Sequence, residues 1–391
     1  MATAPASRRQ GPASGSVSGP GSGSVSLREV AQRAGVSSQT VSRVANGSDL
    51  VRPDTAERVR AAMRELGYRP NYAARALKHG RFNNVGVILF NTTQTGNMRI
   101  LSGISATAAR YGYAITLLTL DGGTGNGCGN VSRASAGSPA SRATDRPADH
   151  APIAAEPSLT PAQALARMRT LPIDGVIIAL ERRPVDLTPL LPTAKLPVVL
   201  ITEGPLPGCV TVDADQFDCS AQAVELLLNE GHRTVHHIAG PESSCASQER
   251  EQAWQAALTR RGITPPPVLR GDWSADAGYD AGLTLARDPN CTAVYASNDQ
   301  MAYGCMLAMR ASGRRVPEDV SVIGVDDSLT AVVPRLDLDT VRIPFDAIGE
   351  RAFTMVMRAC EGEELPTGVR AVLPVELVRR GSVAARHGER S

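Results

Sequence analysis

The sequence predicts a small all-α head followed by an α/β body built on doubly wound parallel sheets. Residues 26–70 show helical periodicity with helix start and stop signals. From residue 84 onward, short apolar runs such as "NVGVILF", "LPVVLIT" and "VSVIGVDD" alternate with helical segments, a pattern typical of parallel strands joined by crossover helices. Since about eight such runs lie in about 300 residues, two sheets are favoured over one.

The charge is unevenly distributed along the chain. Residues 26–80 carry ten lysines or arginines and five acids, whereas the whole 391-residue chain has a net charge of only +2. A basic head on a mildly acidic body is typical of a protein whose head binds a polyanion.

Three features indicate a cytoplasmic protein. No stretch approaches the ~20 apolar residues that a membrane span needs. Residues 1–25 contain Arg8 and Arg9 but no apolar core, so we interpret them as a disordered tail and not as a signal peptide. The seven cysteines form an odd set without a C-x-x-C pair, which argues against disulfides and against a zinc site.

The head is predicted to be a helix-turn-helix unit. Ser26 and Glu29 match a capping box that begins the first helix, and Gly35 ends it. Ser37 can cap a second helix that runs to about residue 45, and a third helix is predicted from residue 53 to the stop at residue 67.

The second helix has a thin apolar stripe and a polar outer face. Gln39 and Arg43 are four residues apart and share that face. In the major groove an amide can hydrogen-bond adenine, and a guanidinium can bind guanine through two bonds. A plain solvated helix is the alternative, but it does not explain the turn and the basic head together. Residues suited to phosphate contacts that fix the register are Thr40, Ser42 and Asn46.

The stretch "VSLREVAQRAGVSSQTVSRVANG…ERVRAAMRELGYRPNYAARAL" resembles the head of the lactose-repressor (LacI/GalR) family of bacterial transcription regulators. The resemblance implies that Ser38, Gln39 and Arg43 read bases, and that double-stranded operator DNA and a homodimer partner are expected. It also implies a hinge helix over Asn71–Leu77 that folds on DNA, with Leu77 wedged into the minor groove; an ordinary linker leucine is the alternative. Arg52 departs from the family pattern, since a capping serine is common there, but an arginine could contact a phosphate.

The predicted organisation follows from these assignments. A tail (1–25) precedes the head (26–70), a hinge or linker (71–83) and a body (84–391). The resemblance implies a two-lobed, periplasmic-binding-protein-like body that binds an effector and dimerises. Its first lobe is expected at about 84–210 and 343–370, and its second at about 211–342 and 371–391. A low-complexity insertion at 122–157 lacks a G-x-G-x-x-G motif, so a nucleotide loop is not predicted there. Helices of the body are predicted at 98–111, 215–229, 246–261, 276–286 and 300–311.

The resemblance places a sugar effector in the cleft between the lobes. A neutral sugar needs hydrogen-bonding amide, carboxylate and guanidinium groups and an aromatic platform. Trp273 and Phe345 could alternatively be core aromatics, and Asp326 with Asp327 could be a strand-end turn. The residues expected to bind the effector are Arg250, Trp273, Asn298, Asp326 and Phe345.

Other classes are less well supported. A sugar-binding receptor of the transport type without DNA regulation is the main alternative, but it would need an export signal and no basic head. An enzyme is not predicted, because Asp326 and Asp327 would point to opposite faces of a strand and no catalytic motif is present. His232, His236 and His237 lie across a helix end and a strand, so no metal or other cofactor is expected. The stretch "GDWSA" favours a galactoside as the effector. The sequence indicates a repressor that responds allosterically to this effector. Whether the effector releases DNA or promotes DNA binding stays open.

Overall fold

The computed structural model describes residues 25–45, 48, 50–68, 80–90, 92, 94–120, 159–182, 186, 188–193, 196–365 and 368–386. The chain divides into two compact units, Met1–Gly80 and Arg81–Ser391. The predicted tail apart from Val25, the segment 71–79 that contains the predicted hinge helix, and the insertion at 122–157 lie outside the described residues.

The first unit contains three helices, α1 (Leu27–Ala34), α2 (Ser38–Ala45) and α3 (Pro53–Leu66). The predicted capping box is present at α1, where the Ser26 backbone N–H donates to Glu29 Oε2 at 2.6 Å. Gly35 ends α1 with φ +66°, a left-handed conformation that favours glycine. The helices pack on one another through a small core centred on Val30, Val41 and Val59.

The second unit contains two six-stranded sheets, which confirms the two-sheet prediction. The first sheet has the order β11-β5-β4-β3-β1-β2, and all its pairings are parallel. Its strands are β1 (Asn84–Phe90), β2 (Ala114–Leu120), β3 (Gly175–Ala179), β4 (Val198–Ile201), β5 (Val210–Ala214) and β11 (Arg370–Leu373).

The second sheet has the order β12-β10-β9-β8-β6-β7. Four of its pairings are parallel, and the edge strand β12 is antiparallel to β10. An antiparallel edge strand on an otherwise parallel sheet is common in mixed folds. The strands are β6 (His236–Ala239), β7 (Leu269–Arg270), β8 (Ala293–Ala296), β9 (Ser321–Val325), β10 (Asp339–Arg342) and β12 (Glu376–Val378).

The strand pairings move two of the expected lobe borders. Residues 211–214 belong to β5 and residues 371–373 belong to β11, so both segments lie in the first sheet and not in the second lobe. The first lobe therefore extends a few residues past 210 and 370, because the chain leaves a sheet only where a strand ends.

Helices cover both sheets. They are α4 (Thr95–Arg110), α5 (Pro161–Met168), α6 (Gln216–Asn229), α7 (Cys245–Arg260), α8 (Ala275–Ala286), α9 (Asp299–Ala311) and α10 (Phe345–Cys360). Two helix pairs, α4 with α10 and α8 with α9, approach so closely that glycine is needed at the contact. A Cβ atom on Gly304 would lie 2.0 Å from the carbonyl oxygen of Ala275. Among the described residues, no helix combines the length and the apolar character that a membrane span requires.

Candidate ligand pocket and candidate nucleic-acid interface

The outer face of α2 presents the residues predicted to read DNA. Ser38, Gln39 and Arg43 are exposed, whereas Val41 and Val44 on the opposite side are buried. This division follows from the 3.6-residue period of a helix whose apolar stripe only has to reach two small neighbouring helices.

The start of α2 is fixed by hydroxyl groups. The Thr40 backbone N–H donates to Ser37 Oγ at 3.1 Å, and the two side-chain hydroxyls are 2.9 Å apart. Ser37 is therefore the cap, as the sequence predicts. Thr40 and Ser42 are half-buried at the edge of the outer face, and the predicted contact residue Asn46 lies outside the described residues.

Arg52 occupies the cap position of α3 and makes no side-chain capping hydrogen bond. The absence of a side-chain cap agrees with the departure noted in the sequence, since an arginine side chain has no acceptor. Arg52 is exposed on the surface of the head unit. Asn71 and Leu77 of the predicted hinge helix lie outside the described residues.

A cavity of about 400 Å³ lies between the two lobes of the second unit. It is placed at the carboxyl ends of strands from both sheets, which is where open α/β sheets usually bind ligands. Its wall contains every residue for which the sequence predicts effector binding, namely Arg250, Trp273, Asn298, Asp326 and Phe345.

Arg250 is held in the pocket wall by several polar contacts. Its Nε donates to Gln216 Oε1 at 2.8 Å, and its Nη1 donates to the Ser297 carbonyl oxygen. Its Nη2 lies 3.6 Å from Asp326 Oδ1, and its guanidinium carbon lies 5.9 Å from the centre of the Trp273 ring. Since a guanidinium has five N–H donors, Arg250 keeps donors for a ligand while its position is fixed.

Trp273 is held in a strained backbone conformation. Its φ is +76°, which bulky residues rarely adopt. Asn298 donates from Nδ2 to the Trp273 carbonyl oxygen at 2.9 Å, and the indole lies directly against Gly240, where a Cβ atom would approach it to 2.3 Å. Trp273 is therefore positioned by contacts on both its backbone and its ring, and it lines the cavity while packing against the core of the second lobe.

Asn298 also caps α9, since its Oδ1 accepts the Met301 backbone N–H at 2.9 Å. Its Nδ2 donates to Gln300 as well as to Trp273. Its first role is therefore to position Trp273 and Gln300 at the pocket wall.

Asp326 and Asp327 follow β9 and have φ values of +109° and +53°. They lie beyond the strand and not on it, so strand alternation, the basis of the prediction, does not apply. Their side chains nevertheless diverge: Asp326 lines the pocket, whereas Asp327 accepts hydrogen bonds from Arg342 and Arg380. Burial raises the pKa of Asp326 to about 6, and the neighbouring Arg250 opposes that rise. The arginines at Asp327 hold its pKa below the usual value against the opposing effect of burial.

Phe345 begins α10 and reaches the pocket from the first lobe. Its ring packs against Gly96, where a Cβ atom would lie 2.9 Å from it. The first lobe also contributes Gln94, Thr95 and Asn97 to the wall. Thr95 accepts a hydrogen bond from Gln300 of the second lobe at 3.0 Å, so the two lobes already touch across the cleft.

Several wall residues were missed by the sequence reasoning. Glu203 lies two residues after the buried strand β4, Asp213 lies near the end of β5, and Gln216 begins α6. The signal that could have found them is the one that found Asp326, a polar residue at the carboxyl end of a parallel strand.

The histidines have structural partners. His237 stacks on Trp254 and Tyr295, and its Nδ1–H donates to the Tyr295 carbonyl oxygen at 3.0 Å; burial lowers its pKa to about 3. His232 bonds Thr292 and Ser321. Within the described part of the chain, no group of three potential ligands is arranged to hold a metal ion.

Two protein-family models match this chain, one over the head and one over the body. The family model for bacterial regulatory proteins of the lacI family matches residues 26–71, and that for the periplasmic binding protein-like domain matches residues 224–383. The HTH-type transcriptional regulator CelR of Thermobifida fusca is 32% identical over 370 residues, which covers 91% of this chain and 97% of that protein. The lactose operon repressor of Escherichia coli K12 is 29% identical and covers 92% of this chain and 91% of its own length.

Solved structures give the same result. The lac repressor dimer bound to operator and the anti-inducer ONPF is 26% identical with a TM-score of 0.71, over 93% of this chain and all of that one. A complex of the transcriptional regulator CelR with cellobiose is 29% identical with a TM-score of 0.60, over 92% of this chain and 99% of that one.

A helix-turn-helix head joined to a two-lobed, periplasmic-binding-protein-like body defines a DNA-binding transcriptional regulator with an effector domain. The chain belongs to the lacI family of bacterial regulatory proteins.

Proposed function

We propose that this regulator is a repressor whose operator affinity is controlled by a small saccharide bound between the two lobes of its body. The observation that carries the proposal is the pocket wall, where Arg250, Asp326 and the aromatic faces of Trp273 and Phe345 converge on one cavity. Planar charged groups bind sugar hydroxyls through paired hydrogen bonds, and an aromatic face covers the apolar face of a pyranose.

We infer that the effector is a disaccharide. The cavity of about 400 Å³ lies within the usual range for ligand pockets and has room for more than a single sugar ring. Relatives are named for lactose control or solved with cellobiose, so a galactoside and a glucose disaccharide are the first candidates.

We propose that Gln39 and Arg43 on α2 read bases and that Ser38 adds a third, smaller base contact. Thr40, Ser42 and Asn46 would fix the register on phosphates, and Arg52 would add a phosphate contact at the start of α3. Exposure of Ser38, Gln39 and Arg43 on one helix supports this assignment. The dimer seen in the solved lac repressor supports a homodimer that places two heads on adjacent half-sites.

The test is a gel shift on the DNA upstream of the protein's own gene, titrated with cellobiose, lactose and single-ring sugars. We expect a specific complex that one disaccharide dissociates or strengthens. Retained DNA binding with no response to any sugar would contradict the effector assignment. Saccharide binding without any DNA complex would favour the receptor alternative.

Arg43→Ala tests the DNA-reading assignment in the same assay. It should abolish the specific complex while disaccharide binding by the body stays intact, because each paired guanine contact is worth about 1–3 kcal/mol per half-site. Arg287→Ala, which removes an exposed arginine after α8, is the matched control and should leave the complex unchanged.

A further inference from the structure

Glu203 and Asp213 both line the first-lobe wall of the pocket, at the carboxyl ends of two neighbouring strands. In the parallel pair β4–β5, Ile201 stands opposite Val212, and the Thr202 backbone N–H donates to the Val212 carbonyl oxygen at 3.3 Å. Asp213 is the next residue of β5 after Val212, and Glu203 lies two residues past the end of β4.

Negative groups outnumber positive groups in the pocket wall. Within the described residues, the lining contains five carboxylates and one cationic side chain, Arg250. Arg250 keeps N–H donors for a ligand, but its positive charge lies 3.6 Å from Asp326 and is outnumbered by the carboxyl groups of the wall. The carboxylates are Glu181, Glu203, Asp213, Asp272 and Asp326.

Asp213 is the fixed member of the carboxyl pair. Its Oδ2 accepts from Arg370 at 2.7 Å, and its Oδ1 accepts the Ala214 backbone N–H at 2.6 Å and Gln216 Nε2 at 3.4 Å. Arg370 also lies 3.6 Å from Glu249 on α7, so its charge is divided between two acids. Burial raises the pKa of Asp213, and the bonds from Arg370, Gln216 and the Ala214 backbone N–H oppose that rise.

Glu203 carries a proton at neutral pH. Burial and the Asp213 carboxylate raise its pKa to about 8, Glu249 acts in the same direction, and Arg250 acts against them. A protonated carboxyl group together with carboxylate oxygens in the same cavity wall offers both a donor and acceptors. A sugar hydroxyl, which donates and accepts, matches such a pair, whereas a phosphate or a second carboxylate is repelled by it.

We propose that Glu203 and Asp213 form a subsite that binds hydroxyl groups of an uncharged saccharide and excludes phosphorylated or acidic sugars. The inference rests on the proposed saccharide-binding function and names the chemical class that the pocket accepts. Glu203 is the specificity-determining member, since its proton decides whether the subsite can donate.

Isothermal titration calorimetry on the full chain tests whether the ligand is an uncharged saccharide. The probes are cellobiose and lactose, the 6′-phosphate of each, and the cationic disaccharide of two glucosamines. We expect the neutral sugar that binds to lose at least about hundredfold in affinity when phosphorylated, since apposed like charges cost several kcal/mol. A phosphorylated sugar that binds as well as its neutral parent would overturn the proposal, and so would tighter binding of the glucosamine disaccharide. If none of the five sugars binds to the folded protein, the proposed function itself fails.

Glu203→Gln tests the residue, because an amide keeps a donor and an acceptor but cannot ionise. In the native protein, affinity for the neutral disaccharide should fall by about tenfold for each pH unit above about 8, where Glu203 loses its proton. Glu203→Gln should keep the affinity at neutral pH within about threefold and lose this decline. Asp299, whose pKa is also raised to about 8, does not line the pocket and is unchanged in the variant.

Glu242→Gln removes an exposed carboxylate before α7 and is the control; it should retain the native pH profile. If the decline in affinity above about pH 8 persists in Glu203→Gln, another group causes the decline, and the role proposed for Glu203 is overturned.

Discussion

Gly240→Ala should weaken disaccharide binding without unfolding the body. Gly240 follows β6, and its φ angle is not positive, so alanine fits its backbone without strain. The added Cβ atom, however, would lie 2.3, 2.4 and 2.6 Å from three carbon atoms of the Trp273 indole. The ring borders the cavity, so it can move into the cleft and need not disrupt the core.

The expected size of the effect follows from this geometry. Ordinary carbon contacts begin at 3.4 Å, so the indole must withdraw by about 1.1 Å. If the shift removes roughly 60 Å² of apolar contact with the sugar, the loss is about 1.5 kcal/mol, or slightly more than tenfold in affinity. The free energy of unfolding should change by less than about 1.5 kcal/mol, because the ring keeps a solvent-accessible place to go.

The assay is a double-mutant cycle measured by calorimetry with the disaccharide that binds. Gly240→Ala should have little effect in a Trp273→Ala background, because the alanine then meets no ring. Tryptophan fluorescence provides a second readout, since the chain has two tryptophans and Trp254 is fully buried. An equal loss of affinity in both backgrounds would refute the reasoning that Gly240 acts through Trp273.

Two further predictions concern charge. Under the proposed function, the ionised carboxylate of Asp326 accepts hydrogen bonds from sugar hydroxyls, and burial raises its pKa to about 6. The affinity should therefore reach its full value above that pH and fall by about tenfold for each pH unit below it, which calorimetry between about pH 5 and pH 7 checks. An unchanged decline in any residual binding by Asp326→Asn would contradict this prediction. Arg52→Ser supplies the missing cap of α3, so it should stabilise the head by about 1 kcal/mol. It should also reduce the salt dependence of operator binding by about one phosphate contact per head. Thermal unfolding and gel shifts at several salt concentrations measure the two effects, and a salt dependence that does not change would exclude the phosphate contact.

Local signals were sufficient to predict the head and most elements of the body. The capping box at Ser26 and the stop at Gly35 lie where the sequence places them, because both depend on residues within one helical turn. The predicted helix at 98–111 begins earlier, at Thr95, since no side-chain cap marks its start. The short strands β7 and β12 have two and three residues and leave too little periodicity to detect.

The pocket could be predicted only in part for a different reason. Arg250, Trp273 and Asp326 were identified through a resemblance of short motifs, whereas the presence of Glu203 and Asp213 in the same wall depends on how β4 pairs with β5. Register is a tertiary property, set by how strands pack across the sheet, and no local motif encodes it. The bond between Gln216 and Arg250 likewise joins residues that are 34 positions apart.

Strain at the pocket indicates that its geometry is preformed. Trp273 and Asp326 both line the cavity in left-handed or related backbone conformations, which cost about 1–3 kcal/mol each in non-glycine residues. Each is held by a hydrogen bond to its backbone: Asn298 donates to the Trp273 carbonyl, and the Asp326 N–H donates to the Val341 carbonyl at 2.9 Å. Glycine would relieve the strain at either position but would supply neither an aromatic face nor a carboxylate. The fold thus gives up stability at these residues, and a ligand that enters meets groups whose ordering has already been completed on folding.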